Sequence, residues 1–108
     1  MQYNVYLTIG HNVKGTPTHT TKSVCDNVSA FLGIEAYTAI PCFGMWRGEA
    51  ESSTRVEVCA LDRAQAEGIR ERIPALAQAL AQDSIMCEVR EARTAFIEAA
   101  AIQAAKTA

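Results

Sequence analysis

Two hydrophobic periods take turns along this chain, and their order limits the fold more than any other feature. Residues 3–9 alternate, with Tyr3, Val5, Leu7 and Ile9 on one side of a strand and Asn4, Tyr6 and Thr8 on the other. Gly10-His11-Asn12 ends that strand, and residues 13–19 form a loop marked by Gly15 and Pro17. Thr20 can then cap a helix whose buried stripe is Val24, Val28, Phe31 and Leu32, with Gly33 placed to end it. Alternation returns over 35–42, where Pro41 marks a sheet edge or a bulge because it cannot donate to a ladder. It returns again over 54–61, with Val56, Val58 and Ala60 opposed to Arg55, Glu57, Cys59 and Leu61.

Asp62 and Gln65 make a capping box for a second helix running to about residue 81. Its apolar face is Ala66, Ile69, Ile73, Leu76, Ala77 and Leu80, and Pro74 should kink or divide it. Residues 84–90 supply a fourth strand, and 93–97 could extend the sheet. The order β-α-β-β-α-β predicts an α+β, ferredoxin-like fold, with an antiparallel sheet and two helices on one face. One domain is expected over 1–98, followed by an Ala-rich tail over 99–108 with helical propensity.

The stretch 40–61 concentrates chemistry. It holds the one Trp, Trp46, together with Phe43, Arg47, Arg55, two of the four Cys and several Glu. Residues 43–53 read as a long charged connection between strands. An aromatic ring beside a guanidinium suits a planar or phosphorylated ligand, offering a stacking face and a bidentate fork. The competing reading makes Phe43 and Trp46 packing residues and leaves Arg47 solvated. Arg55 and Arg90 fall on one predicted sheet face, and Arg47, Arg93 and Lys14 complete a scattered basic set. They either converge on a ligand cleft or pair with Glu57, Glu88 and Glu91.

Composition excludes several classes. The net charge of −2 and the lack of a basic block disfavour a nucleic-acid polymer as partner. The N-terminus lacks the pattern of a secretory signal, and no apolar run approaches a membrane span, so a cytoplasmic protein with no membrane partner is expected. Cys25, Cys42, Cys59 and Cys87 form no C-x-x-C pair, as in a reducing compartment; no metal and no cofactor are expected. The open sheet face is half apolar, which predicts a homo-oligomer.

Catalytic groups are sparse. His11 and His19 have no helical i,i+4 partner, and a Cys–His pair would need Cys42 or Cys59 beside a His in space. Glu49 and Glu51, two residues apart, read as an acid/base pair or as a solvated charged loop.

Several short features nevertheless line up. The first strand ends Leu7-Thr8-Ile9-Gly10-His11-Asn12, the second runs into Gly44-Met45-Trp46, Glu51 precedes the third, and the second helix ends Ala79-Leu80-Ala81-Gln82-Asp83-Ser84-Ile85. This order resembles a group of small bacteriophage proteins, the anti-Thoeris sponges. In that group the first strand ends Gly-x-Asn and the second helix runs into Gln-Glu-Ser-(Ile/Val). Here Asp83 replaces the Glu, and His11 stands where the group often has Leu. The chain is also similar to uncharacterised ferredoxin-like bacterial domains.

The phage resemblance implies an anti-defence protein that is not an enzyme. Such a protein binds and sequesters a cyclic ADP-ribose-derived immune signal without cleaving it, in oligomers with ligand sites between subunits. On this reading the small nucleotide-like ligand would meet Arg47, Arg55, Arg90 and Arg93 at its phosphates, with Phe43 or Trp46 stacked on its base. Two rivals remain: an assembly module without a small ligand, and a small enzyme using His11 or Cys42 at a subunit interface.

Overall fold

The structure is a computed structural model and describes residues 1–100. Its main sheet comprises β1 (Tyr3–Gly10), β4 (Thr38–Trp46), β5 (Glu49–Leu61) and β6 (Met86–Glu91), in the order β4-β5-β1-β6 with every pair antiparallel. Helices α1 (Thr21–Leu32) and α2 (Arg63–Ala79) join the strands in the β-α-β-β-α-β sequence. A two-residue ribbon, β2 (Asn12–Val13) with β3 (Thr16–Pro17), lies within the expected first loop. The ferredoxin-like expectation therefore holds.

Local chemistry accounts for both helices. Thr20 accepts from the Ser23 N–H while the Ser23 hydroxyl accepts from Thr20 N–H, a reciprocal cap. Asp62 and Gln65 do the same for α2. Gly33 ends α1 in the left-handed region at φ 63°. The Arg72 guanidinium then donates to the Leu32 carbonyl, tying the end of α1 to α2. Pro74 does not divide α2, which runs unbroken through it.

Val5, Leu7, Ile9, Val56 and Val58 on the sheet meet Val24, Val28 and Leu32 of α1 and Ala66, Ile69, Ile73, Leu76 and Leu80 of α2. Leu32 and Leu76 have no solvent exposure, so truncating either to Ala should cost about 2–5 kcal/mol. Phe31, assigned to this stripe from spacing, is instead exposed.

Three further departures bear on the site. The charged stretch 43–53 is a hairpin rather than a loop. Pairing runs from Thr38↔Glu57 out to Trp46↔Glu49, and Arg47 and Gly48 close it with φ 51° and 82°. Two successive left-handed residues match the twist of a two-residue hairpin turn. Because β1 stops at Gly10↔Ser53, the outer part of this hairpin is a two-stranded arm beyond the sheet. Pro41 sits on β4, the edge strand, as its missing donor requires.

The second departure is a bulge at Ala60 (φ 59°), where pairing shifts between Tyr3↔Leu61 and Val5↔Val58. It turns Leu61 back against the core, opposite to the face that simple alternation gave it. Finally, residues 93–97 form no strand; Ala92 and Thr94 donate to Gln2 instead. Most of the 99–108 tail lies outside the described residues. Among the described residues, no helix is long and apolar enough to cross a membrane.

Candidate functional site

At one end of the sheet lies an open groove of about 750 Å³. Its floor is the end of β1, with Thr8 and Gly10; the β2–β3 ribbon and the hairpin arm flank it, and the turn after α2 closes it from 81 to 84. Three stretches far apart in sequence, 8–15, 44–53 and 81–86, thus meet there. The volume lies within the range of small-ligand sites.

Glu51 is the central side chain. Its carboxylate accepts from the Asn12 N–H at 3.1 Å and lies so close above Gly10 that a Cβ there would collide with it. Gly10 is needed for this approach, since any larger residue would displace the carboxylate. Gln82 reaches the same spot from the other side. Its amide donates to the Asn12 carbonyl at 2.8 Å.

The turn that presents Gln82 is well defined. Ala81 is left-handed at φ 52°, Ala81 N–H donates to Gln78 O, and Gln82 N–H donates to Ala77 O. This is a Schellman ending, with alanine where glycine is usual. His19 Nε2 donates to Leu80 O at 2.7 Å, joining the same turn to the loop before α1.

His11 lies behind the groove, between the sheet and the start of α1. Its Nε2 is 2.7 Å from Thr54 Oγ1, which is 3.0 Å from Thr21 Oγ1. Burial lowers its pKa from the ordinary 6.5; His19 lowers it further and Glu51 opposes the shift. A buried histidine bonded to threonine is a packing and hydrogen-bonding residue in this chain. Cys42 Sγ is spent on the Ile40 carbonyl at 3.3 Å.

The residues expected from sequence to bind ligand fall in three places. Trp46 and Arg47 are together in the groove, with the guanidinium 5.6 Å from the indole ring. Phe43 is exposed on the same arm but does not line the groove. Arg55 and Arg90 meet on the open sheet face, where they flank the Tyr6 ring at 4.7 and 5.5 Å. Each also pairs with a carboxylate, Arg55 with Glu57 at 3.1 Å and Arg90 with Glu88 at 2.9 Å. Arg93 is at the far end of β6, in a recess with Met1, Glu91 and Ala92.

Sequence reasoning did not rank Gly10, Asn12 and Gln82 as site residues, and left Glu51 between two readings. Their signal was the pair of short motifs at element ends, Gly-x-Asn and Gln-Asp-Ser.

No family model matches the chain, and no curated protein does. Solved structures do. A phage SAM lyase in complex with S-methyl-5′-thioadenosine aligns with a TM-score of 0.69 at 19% identity, covering 83% of this chain and 81% of that one. A phage SAM lyase in the apo state aligns at 0.67 and 21% identity, covering 82% and 78%. A de novo designed protein, Foldit4, aligns at 0.52 and 16% identity, covering 86% of this chain and 100% of its own.

The fold is therefore one that a phage SAM lyase also has, at 19–21% identity; the anti-Thoeris assignment gains no support. The expectation of a non-enzyme is corrected. The two aligned phage structures are of a SAM lyase, an enzyme, one of them in complex with S-methyl-5′-thioadenosine.

Proposed function

We propose that this chain is a phage-type lyase that takes S-adenosylmethionine (SAM), or a closely similar adenosyl sulfonium, in the groove around Glu51. The observation that carries this reading is the Glu51 carboxylate, fixed over Gly10 by the Asn12 N–H inside a groove with room for a nucleoside. The charges lining that groove support it. Three carboxylates, Glu49, Glu51 and Asp83, face two cations, Lys14 and Arg47. An acidic balance favours a sulfonium that also carries an ammonium, and disfavours a pyrophosphate.

The chemistry asks little of the protein. When the bond from sulfur to the methionine-derived chain breaks, its electron pair goes to sulfur. The leaving group is then a neutral thioether, S-methyl-5′-thioadenosine, and needs no acid. The ligand's own carboxylate oxygen can bond to the carbon that sulfur leaves, so atoms and charge balance without water. Glu51 suits the ligand's ammonium better than its sulfonium. A carboxylate beside the sulfonium would stabilise a charge that the transition state is losing. The protein's contribution is then to fold the ligand into a reactive geometry.

Trp46 offers its face to adenine, and Arg47 meets the ligand carboxylate. Phe43, Arg55, Arg90 and Arg93 lie outside one copy's groove and are assigned to a site completed by a second copy. Exposed Phe43, Met45 and Trp46 on the arm and Met86 on the open face support a homo-oligomer, and a phage-type protein acting on SAM would work in the host cytoplasm. Removing a methyl donor there would be an anti-defence activity.

Calorimetric titration with S-methyl-5′-thioadenosine tests the site. Saturable binding that Trp46→Ala weakens is the expected result. No binding at high micromolar concentrations, alongside tight binding of a cyclic ADP-ribose isomer, would overturn it. Light scattering should show an oligomer that Met86→Asp dissociates; a monomeric wild type would refute the shared site.

A further inference from the structure

The geometry points to Gln82 as a positioning residue for Glu51, acting through Asn12; this inference rests on the function proposed above. Glu51 stands on the two-stranded arm, beyond the reach of β1 pairing. The one hydrogen bond described for its carboxylate comes from Asn12 N–H. The direction of Glu51 therefore depends on where Asn12 is held.

Asn12 opens the β2–β3 ribbon, which is only two residue pairs long and turns through Lys14 and Gly15 at φ 49° and 80°. So short a ribbon has little stability of its own. Its base is tied at His11, whose carbonyl accepts from Thr18 and His19 N–H groups and whose own N–H donates to the Ser52 carbonyl at 2.9 Å, next to Glu51; Asn12 itself lies one residue beyond that tie. On the groove side, the side-chain tie is Gln82, donating at 2.8 Å to the Asn12 carbonyl. Gln82 is itself fixed by the Schellman turn of α2, which His19 holds through Leu80 O.

The chain of contacts runs from the end of α2, through Gln82, to Asn12, and on to the Glu51 carboxylate. Gln82 need not touch the substrate. It sets the position of the N–H that fixes the direction of the Glu51 carboxylate. The alanine at left-handed Ala81 fits this role, because a strained turn is retained where it aims a neighbouring side chain. Other charges facing Glu51 are His11 from behind and Lys14, Arg47, Glu49 and Asp83 across the groove.

Two variants test the latch: Gln82→Met, which removes the donor, and Gln82→Glu, which keeps the length but lacks an amide donor. NMR reads it directly, through hydrogen exchange at the Asn12 amide and the chemical shift of its proton. Faster Asn12 exchange in both variants, with the amide proton moved upfield as its bond to Glu51 is lost, is the expected result. In SAM turnover, kcat should fall about tenfold with a smaller change in KM. Unchanged Asn12 exchange and an unchanged Asn12 proton shift in Gln82→Met would overturn the latch. If wild-type protein turns over no SAM, the proposed function fails, and the NMR pair still decides the latch.

Discussion

Gly10 shows how one missing methyl group can shape a site. Its backbone lets the Glu51 carboxylate settle where a Cβ would stand. Gly10→Ala should push that carboxylate off the Asn12 N–H and lower SAM turnover about tenfold or more. Thermal melting should move little, because the glycine is at the end of β1 and outside the core. Retained turnover in Gly10→Ala would show that the carboxylate's placement does not matter.

His11 gives a residue-scale prediction of a different kind. Its folded pKa is depressed, chiefly by burial. The unfolded chain therefore takes up a proton near pH 6.5 while folded His11 stays neutral. Stability rises with pH wherever the unfolded state holds more protons. This contribution is intact above about pH 6.5 and declines below it, until the folded imidazole also protonates. Melting temperature should fall between about pH 7 and about pH 5, and His11→Gln should flatten that slope. An equal slope in the variant would assign the effect to other groups. From sequence His11 was a loop residue with a choice of roles. What decides its role is Thr54, from β5, and Thr21, from α1, and such meetings leave no local mark on a sequence.

At the scale of elements, the helices were the most legible parts. Thr20, Gly33, Asp62 and Gln65 have side chains or backbone freedom that act locally, so their sequence positions fix the helix ends. The hairpin arm was not legible, because Glu49, Glu51, Ser52 and Ser53 have low intrinsic preference for strands. They are extended because β4 pairs with them residue by residue. The Arg47–Gly48 turn is what brings the two strands together. Gly48→Ala should destabilise the arm by about 1 kcal/mol, since a left-handed residue with a Cβ is strained. Faster hydrogen exchange along residues 44–51, with the core unaffected, is the observation to seek. Unchanged exchange there would mean that pairing alone, without the turn, holds the arm. The bulge at Ala60 was also invisible, because alternation cannot reveal an inserted residue.

For the whole molecule, the order of elements was enough to give the fold, since β-α-β-β-α-β leaves few ways to cover one sheet face. The site was only partly readable. Trp46 and Arg47 share the groove, whereas Arg55 and Arg90 gather around Tyr6 and pair with Glu57 and Glu88. Counting cations finds surface pairs as readily as binding groups. The groove itself is assembled from β1, the ribbon, the arm and the turn after α2, and only folding brings them together.

The central claim is that this assembly places Glu51 to hold the ammonium of SAM and so fold the ligand for reaction. Its most direct test is incubation of the purified protein with SAM, followed by mass spectrometry, with Glu51→Gln in parallel. The account predicts accumulation of S-methyl-5′-thioadenosine with the wild type and a rate about a hundredfold lower with the folded variant, the loss expected from misplacing the ligand. SAM recovered intact after hours with the wild type, or equal rates in the two proteins, would contradict it.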